Sequence, residues 1–459
     1  MSTPQTWKNR NPGDLSDEFP EIAAGDANSA VARARAAFPA WRALTLDERK
    51  AALRACRDRL AARQEDLARL ISREMGKPLR ESRLELGAVL AKFDLTFADA
   101  DRYVAEQPVG DGPHPALVRR RPRGVAAVVA PFNFPIHLGH GAALGYLLAG
   151  NTVVFKPSPL TAHVGAAYAA EMQAALPAGV WELLQGGAET GRNLCLHPDV
   201  RSVCFTGSVP VGTALARDLA ADYSKSLALE LGGKNSVIVC EDADLQLAAE
   251  AAADGICLTT GQRCNATSRV LVHEKVAAEF LDRLNASLDR YVPGFPLDEK
   301  TLLGPLASPA ALERFQSLLA RTDGRWLRRG EVCGTVDGRR GYYVCPALLG
   351  VGRDTTPSDA EIFAPFATVE MFSDAADAVR LQAQTAFGLT ASIFTESDET
   401  FRRIGDRLEV GNLYRNLPTT FSPSTLPFGG LGVSGNGRPG GRGFIRFAGD
   451  EQAVQWLRR

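Results

Sequence analysis

From 27 to 95 apolar residues recur at i, i+3 and i+4 among many arginines and glutamates, which is the period of helices that bury one face. Asp47-Glu48 marks a helix start within this stretch, and Gly76 and Pro78 punctuate it. Between 101 and 122 a Pro- and Gly-rich segment leads into an extended basic one, an excursion out of the domain. Beyond it the period changes. Short apolar runs predict strands at 125–130, 152–155, 180–184, 202–206 and 227–231. An Ala/Leu/Gly helix separates the first two, and further helices are predicted at 162–176 and 211–223. Strands that alternate with helices imply a parallel sheet covered on both faces. This is a Rossmann-like unit, although no G-x-G-x-x-G occurs in it.

A second series follows: strand 236–240, helix 244–258, strand 270–273, helix 276–291, then strands at 368–372, 389–394 and 411–414. The prediction is therefore an α/β protein of two lobes with a ligand cleft between them. The segment 428–443 is dense in glycine, and no internal repeat or flexible linker is found.

Composition narrows the function classes. A length of 459 residues exceeds one ordinary core and suggests two or three domains. A net charge of −1 gives no reason to expect nucleic acid or a membrane surface as partner. The one basic run, Arg119-Arg120-Arg121-Pro122-Arg123, reads as a solvated strand edge. The long apolar stretch 124–155 is interrupted by Pro131, Asn133, Pro135, His137 and His140, so it does not read as a membrane span. The start lacks the pattern of a signal peptide, and the expectation is a cytoplasmic protein. Eight scattered cysteines without a C-x-x-C pair or zinc spacing read as reduced thiols and no metal site. His137 and His140, three apart, have no third ligand.

Three motifs carry candidate chemistry. In Gly261-Gln262-Arg263-Cys264, small and polar neighbours suggest an accessible thiol, whereas the other seven cysteines have apolar neighbours and read as inert core. Taken alone, Cys264 is equally well read as a buried structural thiol. Glu230 ends an apolar strand and precedes Gly232-Gly233, which allow close backbone approach. Its bland alternative is a surface carboxylate before a turn. Pro131 and Pro135 fix the loop around Asn133, whose amide serves either a ligand or its own turn.

Together these motifs closely resemble the aldehyde dehydrogenase superfamily, in order and in the Glu-to-Cys spacing of 264 − 230 = 34. Lys156-Pro-Ser, Phe205-Thr-Gly-Ser, Glu361-Ile-Phe-Ala-Pro and Pro427-Phe-Gly-Gly extend the resemblance from about Ala27 to the end. It implies a dinucleotide-binding domain at 1–104 and 123–231, a catalytic domain at 232–433, and oligomerisation segments at 105–122 and 434–459, hence a homodimer or homotetramer. It further implies Cys264 as nucleophile, Glu230 as base and Asn133 as oxyanion donor. The cofactor contacts implied are Lys156 and Ser158 at the adenosine ribose, Gly187 and Gly191 near the adenine, and Gly207, Ser208 and Val211 around the pyrophosphate loop. Glu361 matches the nicotinamide-ribose ligand, with Phe363 beside it. The cofactor is NAD, with NADP left usable because Pro159 stands where NAD-preferring members commonly carry Glu. The amino terminus is short and is expected to lack the family's opening hairpin.

Two stretches are similar to the succinylglutamate semialdehyde dehydrogenase branch: Pro131 to Leu138, and the segment 416–440 with Ser424-Thr425 and Arg438. That branch takes an acidic N-acylated amino-acid semialdehyde. Arg263, Ser424, Thr425 and Arg438 are the candidate substrate contacts, because carboxylates entering a pocket need partners. Glu-Leu-Gly-Gly-Lys-Asn at 230–235 and the missing long tail depart from the branch. A general aldehyde dehydrogenase of broad aliphatic and aromatic specificity stays open beside it. An acylating reductase and an inactive binding homologue are weaker readings, because Glu230, Cys264 and Asn133 are all present.

Overall fold

The computed structural model describes residues 5–110, 112–321, 325–352 and 359–458. Contrary to the sequence expectation, the chain opens with a hairpin: Thr6–Asn11 pairs antiparallel with Asp14–Ala23. Its strands carry alternating charged residues rather than an apolar run, which hid them. The turn Asn11-Pro12-Gly13 is the signal that was there to be read, and the Asn11 side chain accepts from Gly13 N at 2.9 Å. Trp7 Nε1 and Asn9 Nδ2 both donate to the Pro159 carbonyl, at 3.1 and 2.8 Å, so the hairpin fastens the loop after Lys156.

The helical stretch resolves into Ala27–Ala43, Leu46–Ala62, Gln64–Met75 and Leu79–Tyr103. Thr45 and Glu48 form a reciprocal capping box at the second of these. Gly76 stops the third with φ +87°, and a Cβ there would stand 2.8 Å from both Pro12 and Pro305. The last helix runs beyond 95: its final turns bury Phe97 and Ala100 in the core, and Asp99 is buried against Arg442 Nε and Gly443 N, each at 2.7 Å. Glu81, Glu85, Lys92 and Asp99 form a buried polar stripe along this helix, at roughly helical spacing.

Two sheets carry the architecture. The first has the order Gly435–Asn436, Ser226–Glu230, Val200–Thr206, Val125–Val129, Thr152–Lys156, Trp181–Leu183. It is parallel except for the first strand. The order reverses between Val125–Val129 and Val200–Thr206, and at such a switch point loops diverge and leave a crevice at the carboxyl ends. The Asn133 loop and Gly207-Ser208 leave from those two strands.

The second sheet has the order Arg325–Arg328, Ala347–Gly350, Phe366–Phe372, Thr267–His273, Asn235–Val239, Thr390–Phe394, Asn412–Arg415. Only Arg325–Arg328 runs antiparallel. That strand and Ala347–Gly350, four residues each, were not expected from the apolar pattern. Both sheets bury apolar clusters on either face: Ala126, Val128 and Phe155 on one side of the first and Ala127, Val154 and Val203 on the other. A third sheet, Gly449–Gln455, Ala116–Pro122 and Gln107–Val109, is antiparallel. No helix among the described residues is long and apolar enough to cross a membrane.

Candidate active site

Glu230 is the last residue of its strand, and Asn235 begins the first strand of the other sheet. Only 231–234 lie between, so the carboxyl sits where the two sheets meet. It is 2 % exposed, and neither oxygen finds a hydrogen-bond partner among the described residues. Burial pushes it up to about 8, with the adjacent Cys264 thiol opposing. A carboxyl left without partners in such a place is primed to take a proton rather than to hold structure.

Cys264 is half-buried. Burial raises its thiol well above the usual range, and the negative charges of Glu230 and Glu361 raise it further. The group is therefore a neutral thiol at rest, and only a neighbouring base could turn it into a thiolate. Asn235 Nδ2 donates to the Cys264 and Ala266 carbonyls, at 2.8 Å each, and pins the backbone here. A Cβ on Gly233 would stand 2.2 Å from the Cys264 carbonyl, so only glycine allows this approach. Burial, and after it the neighbouring Cys264, pushes the hydroxyl of Tyr414, from the second sheet, up to about 12. Nothing in the sequence motifs singled out Tyr414.

Asn133 is buried, and its Nδ2 donates to the Gln262 carbonyl at 2.8 Å. That bond ties the loop after Val125–Val129 to the segment that presents Cys264 and leaves the second amide hydrogen uncommitted. Ahead of Gln262 the backbone is unusual. Thr259, Thr260 and Gly261 have φ of +53°, +57° and +67°. For the two threonines this conformation costs on the order of 1–2 kcal/mol each.

The expected cofactor contacts surround the crevice. Lys156 is buried with one acceptor, the Pro157 carbonyl at 3.2 Å, and burial lowers it to about 8. A Cβ on Gly191 would stand 3.2 Å from Lys156 Cε. Gly187 precedes the helix Ala188–Leu196. Ser158 Oγ accepts from Leu160 N at 3.3 Å. Gly207 N donates to the Glu230 carbonyl at 3.0 Å. Ser208 is the N-cap of Val209–Leu219, a helix that starts two residues before the predicted 211 because Pro210 is tolerated in a first turn. The Ser208 hydroxyl makes no capping bond, and Val211 is 45 % exposed. Glu361 accepts from Gly233 N at 3.0 Å, and burial raises it to about 7. Phe363, with φ +58°, sets its ring edge-on to Phe132 at 5.8 Å. A lone buried ammonium, a free hydroxyl at a helix N-terminus and glycines where the chain must stay thin are what a dinucleotide needs.

The proposed substrate contacts divide. Arg263 is paired with Glu81 at 2.7 Å and stacks over Phe134, and its Nη1 makes no bond among the described residues. Ser424 and Thr425 lie in a half-exposed turn, and neither hydroxyl is hydrogen-bonded among the described residues. Arg438 is exposed with φ +43°, its backbone packed on Gly429, so it shapes the glycine-rich turn. His140 Nδ1 meets the Tyr168 hydroxyl at 2.8 Å, and burial drives both His137 and His140 down to about 3, so the pair belongs to the core. One cysteine expectation fails: Cys333 and Cys345 are half-buried, with sulfurs 3.4 Å apart across a short bridge, rather than inert core residues.

Comparison with known proteins agrees with this geometry. The chain is 36% identical over 440 residues to an N-succinylglutamate 5-semialdehyde dehydrogenase of Burkholderia thailandensis, covering 94% of this chain and 90% of that protein. Among solved structures it is similar to a gamma-glutamyl-gamma-aminobutyraldehyde dehydrogenase from Burkholderia cenocepacia, with TM-score 0.92, 32% identity, and coverage of 99% of this chain and 94% of that one. An NAD-dependent aldehyde dehydrogenase from Sinorhizobium meliloti gives TM-score 0.93 and 31% identity, over 99% and 92% of the two chains. The match to the aldehyde dehydrogenase family runs over residues 2–454. It leaves no part of either main sheet outside: the chain belongs to the aldehyde dehydrogenase family and is an NAD(P)-dependent enzyme that oxidises aldehydes.

Proposed function

We propose that Cys264 is the nucleophile, Glu230 the base and Asn133 an oxyanion donor, in oxidation of an acidic semialdehyde such as N-succinylglutamate 5-semialdehyde to the carboxylic acid. The observation that carries the chemistry is the unpartnered, buried Glu230 carboxyl beside a thiol whose own value is too high for it to ionise alone. Glu230 takes the thiol proton, and Cys264 Sγ bonds to the aldehyde carbon. The resulting oxyanion accepts from the free Asn133 N–H and the Cys264 backbone N–H, each donor being worth ~3–4 kcal/mol in the transition state. A dinucleotide would be held by Lys156, Ser158, Gly187, Gly191, Gly207, Ser208, Val211, Glu361 and Phe363, and would supply the acceptor for the hydride that leaves that carbon. Glu230, once it has released the thiol proton to solvent, takes a proton from the water that attacks the thioester carbon, and Cys264 leaves as the thiolate as the acid departs.

The substrate class is supported by the relatives' names and by the Ser424 and Thr425 hydroxyls and the uncommitted Arg263 Nη1, which suit a carboxylate. Such a substrate belongs with arginine breakdown. The expected result is a kcat/KM for the succinylated semialdehyde about tenfold or more above that for hexanal or benzaldehyde. Equal or better turnover of the neutral aldehydes sinks the substrate assignment and leaves the Cys264 chemistry standing.

The cofactor pocket adds a second expectation. Pro159 cannot repel a 2′-phosphate, so both NAD and NADP should be reduced, and Pro159→Glu should shift kcat/KM towards NAD by about tenfold through charge repulsion. An unchanged ratio would place discrimination elsewhere.

The same proposal divides the chain into a dinucleotide-binding unit at 1–104 and 123–231, a catalytic unit at 232–433 and oligomerisation segments at 105–122 and 434–459. The two sheets support it, while Gly435–Asn436 joins the first sheet rather than the third. Gly449–Gln455 is an open edge of the third sheet, free to pair with a second copy. Light scattering at micromolar concentration should give the mass of a dimer or tetramer, and a monomer mass would refute this. A cytoplasmic location, where Cys264 stays reduced, completes the proposal.

A further inference from the structure

The left-handed threonines before Cys264 must be held by something, because nothing in their own chemistry favours the conformation. Glu81 is in contact with the first of them, while the Thr260 hydroxyl donates to the Gly304 carbonyl at 3.0 Å. Both of its carboxylate oxygens accept from Thr259 N, at 2.9 and 3.2 Å. Its Oε2 also accepts from Thr259 Oγ1 at 2.8 Å and from Arg263 Nη2 at 2.7 Å. Arg263 Nε returns to Thr259 Oγ1 at 2.9 Å, which closes a ring around the turn 259–263. Gln262, inside that ring, offers the carbonyl that holds Asn133, and Arg263 is bonded directly to Cys264 in the chain.

One turn along the same helix, Glu85 does the matching work on the opposite wall. Its Oε1 accepts from Ile136 N and His137 N, at 3.1 Å each, at the end of the Asn133 loop. Its Oε2 is held by Lys77 at 2.6 Å in a fully buried pair. The loop of the thiol and the loop of the amide are thus hung from two carboxylates four residues apart, a separation of roughly 6 Å fixed by helix geometry.

We propose that Glu81 is a positioning residue for thiol attack: it holds the left-handed turn that sets Cys264 and the Gln262–Asn133 contact in register. The proposal rests on the reading of Cys264 as nucleophile and Asn133 as oxyanion donor. A purely structural Glu81 would only neutralise Arg263, and its loss would lower stability without changing the rate per working site.

The test is pre-steady-state reduction of NAD with saturating aldehyde, normalised to titrated active sites. Glu81→Gln should slow the burst roughly tenfold or more, since small misplacements of reacting groups have effects of that size. Its KM for a neutral aldehyde such as hexanal, which offers Arg263 no carboxylate, and its NAD affinity by fluorescence titration should stay within about twofold. Thr259→Gly added to Glu81→Gln should recover much of the rate, because glycine adopts the left-handed conformation unaided. Thr259→Val keeps shape and strain but loses both hydroxyl bonds, and should slow the burst several-fold in a protein that folds normally. The proposal is overturned by an unchanged burst in Glu81→Gln or, should that variant not accumulate, in Thr259→Val. It is equally overturned if the glycine variant is no faster than its parent. Cys264→Ala is run alongside: retained turnover there would sink the nucleophile reading itself, whereas a dead Cys264→Ala with a normal Glu81→Gln burst sinks only the role of Glu81.

Discussion

Cys264→Ala should lose aldehyde-dependent NAD reduction by about 10⁴-fold or more, while NAD still binds with unchanged affinity. The size follows from the absence of a substitute. Cys56, Cys195, Cys204, Cys240 and Cys257 are all buried. Burial lifts the thiols of Cys56, Cys195 and Cys240 to about 12, and those of Cys204 and Cys257 upwards as well. Cys333 and Cys345 lie on a bridge beside the hairpin rather than among the loops of Glu230 and Asn133. Dinucleotide binding survives because Lys156, Ser208 and Glu361 are anchored by other parts of the fold. Activity is read by NADH absorbance and binding by fluorescence titration. Residual turnover above a hundredth of the parent rate would mean that another group makes the covalent bond.

Glu230→Gln should separate the two halves of the reaction. Steady-state turnover falls by about 100-fold or more, the usual range for a lost general base, while one equivalent of NADH still appears per site, more slowly than in the parent because water then has to take the thiol proton. The parent enzyme's turnover should climb with pH through about 8, because the working form is the carboxylate and burial holds the carboxyl up to that value. At pH 7 roughly one Glu230 in ten is then ionised. The variant should lose this rise. If the burst keeps its parent rate, Glu230 does not take the thiol proton; if the rise persists in the variant, the titrating group is some other residue, with Glu361, raised to about 7, the first to examine.

The alternation of strands and helices was legible because parallel strands covered on both faces read as short apolar runs, as at Val125–Val129 and Thr152–Lys156. Glu230, Cys264 and Asn133 stood out through their motifs, and the sheet order brings their loops together. The hairpin escaped because its strands are half-exposed and charged, so their alternation carries little hydrophobic contrast. Glu81 and Glu85 escaped for the opposite reason: in sequence they are two more charges in a charge-rich helix, and only tertiary packing shows that they point inward. The turn at Thr259-Thr260 had no signal at all, since threonine is a poor residue for positive φ and a partner 178 positions away overrides its preference. The pairing of Arg263 with Glu81 follows from the same long-range contact.

The edge strand Gly435–Asn436 gives the chain an order of completion. It pairs with Glu230 and Leu229, the Asn436 side chain accepts from Leu229 N at 2.9 Å, and Ser434 takes the Leu231 amide at 2.9 Å. The strand that carries the base is therefore finished only when residues some 200 positions later arrive. During synthesis, a nascent chain can build the rest of that sheet while the Glu230 edge still lies open to water. A product released just short of Ser434 would keep the thiol and the dinucleotide loops but leave the Glu230 strand with an unpaired edge. Completion of the strand that carries Glu230 thus falls to the last stretch of the chain, after every strand of the second sheet has been made.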